Sequence, residues 1–377
     1  MRVALIHYWL VNWRGGERVL RAIADLFPEA DIFTHVADPV IVREHFPDHK
    51  IFTTFIGRLP GARRFYQRYL PLMPLALEQL DLRRYDLVIS SESGPAKGVI
   101  VGPMATHICY CHSPMRYAWD MYHEYNERSG PLTRALMGPV LHYMRLWDQT
   151  SAQRVDRYVA NSQFVARRIE KYYRRPAEVI YPPVEVDNFV SSHPSEDFYL
   201  SVGQLVKYKR TDLLVQAFNA LNRPLVIIGE GETLSTLRRI AKPNIRFLGR
   251  QSWDVIREHY SRCKALVFPG IEDFGMVPVE AMASGKPVIA LGQGGVRETV
   301  VDGLTGLYFH EQTPKALAEA VHQFEGTVAK FDPQVIRAHA KQFSEQIFKD
   351  RFRSLIASTI GTIREPEPVI SLSRRAG

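Results

Sequence analysis

Two carboxylates frame the segment Glu272-Asp-Phe-Gly-Met-Val-Pro-Val-Glu280. The apolar run Ala265-Leu-Val-Phe268 before it reads as a buried strand. The stretch Pro278-Val-Glu-Ala-Met-Ala-Ser284 after it reads as a helix, with Pro278 in the first helical position and Gly285 at the C-terminal cap. Gly275 in the intervening loop lets backbone approach a ligand closely. The free N–H groups of the helix start can receive phosphate or sugar oxygens. Glu272 in the loop and Glu280 in the first turn accept from hydroxyls and repel phosphate. The pattern therefore fits a ligand with a diphosphate between two polyhydroxyl groups, which is a sugar nucleotide.

A cationic loop complements this segment. In Gly203-Gln-Leu-Val-Lys-Tyr-Lys-Arg-Thr-Asp212, Lys207, Lys209 and Arg210 follow a strand and can neutralise a diphosphate leaving group. Nearer the N-terminus, Trp13-Arg-Gly-Gly-Glu17 puts a glycine pair between strand and helix, without the G-x-G-x-x-G dinucleotide fingerprint. His112 stands at a strand end. Cys109 and Cys111 precede it on one face of that strand, and the pattern does not require a metal. No Asp-x-Asp signature occurs, so cation and helix start must carry the diphosphate charge.

These residues need a scaffold. Apolar runs at 2–8, 31–36, 85–90, 107–111, 157–161 and 178–181 read as strands alternating with helices, one of them over 163–173. The alternation restarts with strands at 198–202, 224–228, 245–248, 265–268 and 287–290. The expected class is α/β, with parallel sheets covered on both faces. We expect an N-terminal domain over 1–181, a linker over 182–196 and a second domain over 197–345. A helix over 346–360 would return to the first domain, and a flexible tail would occupy 361–377. The net charge of +8 favours an anionic partner, yet no nucleic-acid recognition module is present. Three cysteines make no disulfide framework and fit a reducing compartment. The N-terminus runs directly into a strand, and no apolar run reaches membrane-spanning length, so we expect a cytoplasmic protein.

Over nearly its whole length the chain resembles the retaining glycosyltransferases of family 4, which have the GT-B fold. Glu272 to Glu280 is similar to their E-x7-E motif, Gly203 to Asp212 to their G-R-L-x-x-x-K pattern, and Gly294-Gly-Val-Arg-Glu298 to their G-G-x-x-E turn. Gly15, Gly16 and Glu17 match the acceptor-side glycine loop. The resemblance implies two Rossmann-like domains whose parallel sheets face each other across a cleft. It places Glu280 on the donor ribose and Glu272 over the donor sugar, with the backbone of Phe274, Gly275 and Met276 at the sugar and phosphates. Lys209 would hold the diphosphate and His112 would approach the transferred sugar. Gly203, Gln204, Arg210, Leu248, Arg250 and Val277 complete the expected donor site. Gln204 departs from the family's arginine, which leaves more of the charge to Lys209 and Arg210.

Tyr69-Leu-Pro-Leu-Met-Pro74, Ser90-Ser91, Ala96-Lys97-Gly98 and Cys111-His-Ser-Pro114 look like a subgroup of bacterial surface-polysaccharide mannosyltransferases. That resemblance implies GDP-mannose as donor and a lipid-diphosphate-linked saccharide as acceptor. No further cofactor and no metal are expected. Arg58, Arg63, Arg64 and Arg68, interleaved with Phe65, Tyr66 and Tyr69, fit the anionic inner face of the cytoplasmic membrane. The competing readings are a UDP-glucose or other nucleotide-sugar donor, and an inactive GT-B module that binds a sugar nucleotide or a partner.

Overall fold

A computed structural model describes residues 1–123, 130–189 and 195–364. Part of the expected linker, 190–194, and the tail over 365–377 lie outside the described residues. The first sheet has seven strands: β1 (Val3–His7), β2 (Asp31–Thr34), β3 (Ile51–Thr53), β4 (Leu87–Glu92), β5 (Thr106–Cys111), β6 (Arg157–Ala160) and β7 (Ala177–Val179). Their order is β3-β2-β1-β4-β5-β6-β7. The pairings from β3 to β5 are all parallel, with Leu5 opposite both Ile32 and Ile89. Every residue of β1, β4 and β5 is buried, as expected for central strands covered on both faces.

The second sheet has β8 (Tyr199–Val202), β9 (Leu225–Ile228), β10 (Ile245–Gly249), β11 (Ala265–Phe268), β12 (Val288–Leu291) and β13 (Gly306–Phe309). It runs β10-β9-β8-β11-β12-β13, parallel throughout. In both sheets the strand order reverses beside the first strand of the set, β1 or β8. Ligands of open α/β sheets bind at such switch points, outside the carboxyl ends of the strands.

Two strands escape the sequence reading, and both are edges. β3 has only three residues, two of them exposed. β13 opens on Gly306, where a Cβ would lie 2.0 Å from the carbonyl oxygen of Val288. That close approach uses a residue which weakens a strand signal.

By contacts the chain forms two compact units. One comprises Met1–Cys111, Met115–Val159 and the chain from Lys349 on; the other comprises His112–Pro114 and Ala160–Phe348. In the second unit a single apolar cluster fills the interior, and Leu266, Val267, Val279 and Ile289 are fully buried in it. Each such side chain contributes about 1.5–3 kcal/mol of burial. The expected linker adds Val184, Val186 and Phe189 to this cluster. Among the described residues no helix is long and apolar enough to cross a membrane.

Candidate functional site

The second unit gathers most of the expected donor residues at the carboxyl ends of β8 and β11. The chain leaves β8 through Gly203, at φ +146°. A Cβ there would meet Lys209 Nζ at 3.3 Å, so the glycine leaves room for the lysine to lie over the loop. Gly229, at φ +145°, sits so close that a Cβ would come within 1.8 Å of the Gly203 carbonyl oxygen. The amide of Gly203 donates to Ile228 O and that of Leu205 to Glu230 O, which holds the loop against the end of β9.

Lys209 closes a short 3-10 turn (Lys207–Lys209) that leads into helix Thr211–Leu221. Its Nζ lies 3.1 Å from Glu272 Oε1, with both side chains about one-fifth exposed. The pair is an ion contact without hydrogen-bond alignment, because Glu272 Oε1 is buried and accepts no hydrogen bond. Gln204, Lys209, Gly270 and Glu272 line one small cavity with Phe268. Lys207 is exposed and does not line it. Arg210 is held elsewhere. Its guanidinium donates to both carboxylate oxygens of Asp212, at 3.2 and 3.3 Å, and to Gln312 Oε1 at 3.0 Å.

The helix beyond Glu272 starts earlier than its sequence suggests. Gly275, left-handed at φ +94°, is the N-cap of helix Met276–Ala283. Pro278 therefore sits inside the first turn and Glu280 in the second, not the first. The amides of Met276 and Val277 head the helix, where donors lack intrahelical partners. Phe274 turns its ring into the core against Tyr181 and Phe343, at 5.5 and 5.6 Å, so its backbone is what faces the loop. Glu280 is buried, and its Oε2 accepts from Tyr260 Oη at 2.9 Å. Nothing local in the sequence marks Tyr260 as that partner. Leu248 is half-buried at the end of β10, and Arg250 is exposed just beyond it. The second unit also contains half-buried His112, whose carbonyl accepts from Asn161 Nδ2 at 3.0 Å.

The acceptor-side glycines belong to the first unit. They open helix Gly15–Ala24 beside the end of β1. A Cβ on Gly16 would meet Tyr8 Oη at 2.2 Å, so this helix start is packed directly against β1's exit. Glu17 is buried, accepts from the Arg14 amide at 3.0 Å, and places Oε1 3.8 Å from Nε2 of buried His7. Burial, then the charge of Glu17, raises the Tyr8 phenol far above its ordinary range.

Arg58, Arg63, Arg64 and Arg68 are all exposed in this unit, on a succession of short turns and not one helix. Tyr66, Tyr69 and Leu70 pack on a small core with Ile56 and Met73, whereas Leu72 and Leu75 stay exposed. Among the described residues, no three His, Cys, Asp or Glu side chains come together as a metal site. Cys109, Cys111 and Cys263 are buried and free.

Two family models divide the chain between them. "Glycosyltransferase Family 4" matches residues 13–188 and "Glycosyl transferases group 1" matches residues 185–328. An uncharacterized glycosyltransferase of Methanocaldococcus jannaschii is 32% identical over 171 residues, covering 44% of this chain and 48% of that protein. The O-antigen chain mannosyltransferase RfbU of Salmonella typhimurium is 26% identical over 212 residues, covering 50% and 60%. The matches thus span about half the length of these relatives. HepE of Anabaena, solved in complex with UDP, superposes with a TM-score of 0.70 at 18% identity, over 95% of this chain and 100% of HepE. The motif-bearing loops, the two parallel-sheet halves and the paired family models agree: the chain belongs to the family 4 (group 1) glycosyltransferases and has their GT-B fold.

Proposed function

We propose that the chain is a retaining glycosyltransferase that moves mannose from GDP-mannose onto a lipid-diphosphate-linked saccharide in bacterial surface polysaccharide synthesis. One observation carries the reading. Within a single unit, Lys209 and Glu272 meet at 3.1 Å beside glycine-shaped backbone, in a loop that ends on the helix start at Gly275. In the protein alone Glu272 neutralises Lys209. A bound donor would give the ammonium its diphosphate oxygens and Glu272 the hydroxyls of the sugar, so each partner gains what it lacks. The mannosyl donor is supported by the similarity to RfbU and by the subgroup motifs.

The leaving diphosphate gains negative charge as the glycosidic bond breaks. Lys209 and the amides at the helix start stabilise that gain from fixed positions, which lowers the barrier and not merely the binding constant. In this reading Glu272 lies over the sugar's outer hydroxyls, and no glycosyl-enzyme bond forms. The leaving phosphate oxygen takes the acceptor hydroxyl's proton on the face from which it departs, and His112 positions the sugar. The anomeric configuration is kept, and no metal takes part. Exposed Arg58, Arg63, Arg64 and Arg68, with Leu72 and Leu75, support reversible contact with an anionic membrane at its cytoplasmic face.

The test is transfer from GDP-mannose and UDP-glucose to a lipid-linked acceptor, in buffer containing EDTA, with the product's anomeric proton read by NMR. An α-mannoside formed from GDP-mannose is expected. A β-linked product, or a glycosyl adduct on His112 or Glu272 in the intact mass, would overturn the mechanism. Transfer only from UDP-glucose would overturn the donor.

A further inference from the structure

Gly294-Gly-Val-Arg-Glu298 has no role in the donor site described above, yet its carboxylate is fully committed. Glu298 accepts from the amides of Gln163 at 2.7 Å and Phe164 at 2.9 Å, the first two residues of helix Gln163–Tyr173. A carboxylate at that end satisfies two orphan donors and meets the positive end of the helix dipole. Ser162, the N-cap, accepts from Val165 N at 3.0 Å and donates to the Asp273 carbonyl oxygen at 2.6 Å. Arg168, one turn further on, reaches Asp273 Oδ1 at 2.5 Å and Ser113 Oγ at 3.0 Å. Arg168 and Asp273 are 11% and 19% exposed, so water screens their contact weakly. On the other side, Gly295 N donates to Glu272 O, and a Cβ on Gly295 would lie 2.3 Å from Asp273 O.

These contacts converge on two places. One is the loop Glu272–Gly275. The other is His112–Ser113, held by Asn161 Nδ2 on the His112 carbonyl and by Arg168 on the Ser113 hydroxyl. We infer that Glu298, Asp273 and Arg168 are positioning residues for the transfer reaction, and that they fix His112 against the loop that carries Glu272. The inference rests on the proposed function for the meaning of His112 and Glu272, but the contacts themselves do not. A misplacement of about 1 Å between groups that act on one sugar is enough to cost about a hundredfold in rate. Cutting the Glu298 cap leaves the walls of the nucleotide site intact and frees the helix that holds His112.

The experiment compares Glu298→Ala, Glu298→Gln and Asp273→Asn with wild type in the full chain. It measures kcat and KM, nucleoside diphosphate affinity by calorimetry, and amide hydrogen exchange over 112–114 and 161–168. For Glu298→Ala we expect kcat at least tenfold lower, GDP affinity within about twofold of wild type, and faster exchange in both segments. Glu298→Gln, which keeps an acceptor oxygen, should recover part of kcat. Wild-type exchange in Glu298→Ala, or a fall in kcat matched by the fall in GDP affinity, would overturn the inference. Should Glu298→Ala not fold, the same two criteria apply to Glu298→Gln and Asp273→Asn. A wild type that transfers no sugar would defeat the proposed function instead, and the exchange result would still decide the positioning contacts.

Discussion

The two units treat polar groups in opposite ways. In the first, charge and imidazole are fully buried on and around the central strands: His7, His35, Glu92, Lys97, His107 and Asp148 are each 0% exposed. Lys97 pairs with Asp148, and its Nζ lies 3.5 Å from Glu92. Burial alone would lower the Lys97 ammonium, but Asp148 and Glu92 outweigh it and raise it. Trp119 Nε1 adds a 2.7 Å hydrogen bond to Asp148. In the second unit the strand ends carry glycines and the partly exposed pair Lys209–Glu272, and among the described residues of that unit Glu280 is the one buried carboxylate. Charges buried against one another, as Lys97 is against Asp148 and Glu92, set shape. A partly exposed ion pair beside open backbone can exchange its partner. On the proposed reading the second unit holds the donor, and the first unit's network is scaffold.

The comparison can be broken from either side, and the largest effect lies in the first unit. Lys97→Met leaves Glu92 and Asp148 buried without their cation. We expect a loss of about 3–5 kcal/mol in urea unfolding. Wild-type stability would show that the network is not scaffold.

The buried histidines give the next effect. Burial pushes His35 down to about 4 and His107, burial aided by the Lys97 charge, down to about 3. Unfolded, each binds a proton near the ordinary value of 6.5. Folded, each stays neutral far below it. Their stabilisation is therefore complete above pH 6.5 and is lost as pH falls toward 4. We expect a loss of about 2 kcal/mol per histidine between pH 7 and 5, flattened in a His35→Gln variant. A flat profile over that range in the wild type would contradict the assignment.

In the second unit the expected loss is of affinity and not of stability. Glu280→Gln keeps an acceptor for Tyr260 but removes the charge offered to a ribose diol. Charged hydrogen bonds of this kind are worth about 1.5–3 kcal/mol, so nucleoside diphosphate affinity should fall about tenfold or more in calorimetry, with the unliganded thermal midpoint near wild type. Unchanged affinity would remove Glu280 from the ribose role. Smallest is the surface effect: Arg63, Arg64 and Arg68 replaced by Glu should abolish flotation with anionic liposomes, each arginine contributing about 1 kcal/mol. Equal flotation of wild type and triple variant would refute the membrane contact.

The sequence makes the strands and the loop chemistry visible where the signals are local. The apolar runs of β1 and β11 form strands, and the helix expected over 163–173 forms as Gln163–Tyr173. Positive φ at Gly275 falls on a residue already singled out for backbone freedom. What stays hidden is set by distant neighbours. Pro278 looks like a helix start, but left-handed Gly275 begins the helix at Met276. Arg210 looks free for phosphate, but Asp212 and Gln312 claim it. The link from Glu298 to the helix at Gln163 joins residues with no local pattern in common. A charge pattern shows which chemistry is available and not which partner the fold supplies.

The central claim is that the ion pair of the second unit changes partner in order to stabilise a departing diphosphate. It is tested most directly by steady-state turnover of GDP-mannose by Lys209→Ala beside wild type, with GDP affinity measured on both. If Lys209 acts on charge that develops in the transition state, kcat should fall about a hundredfold or more, while GDP affinity falls less. A variant with normal turnover, or one whose loss lies only in KM, would contradict it.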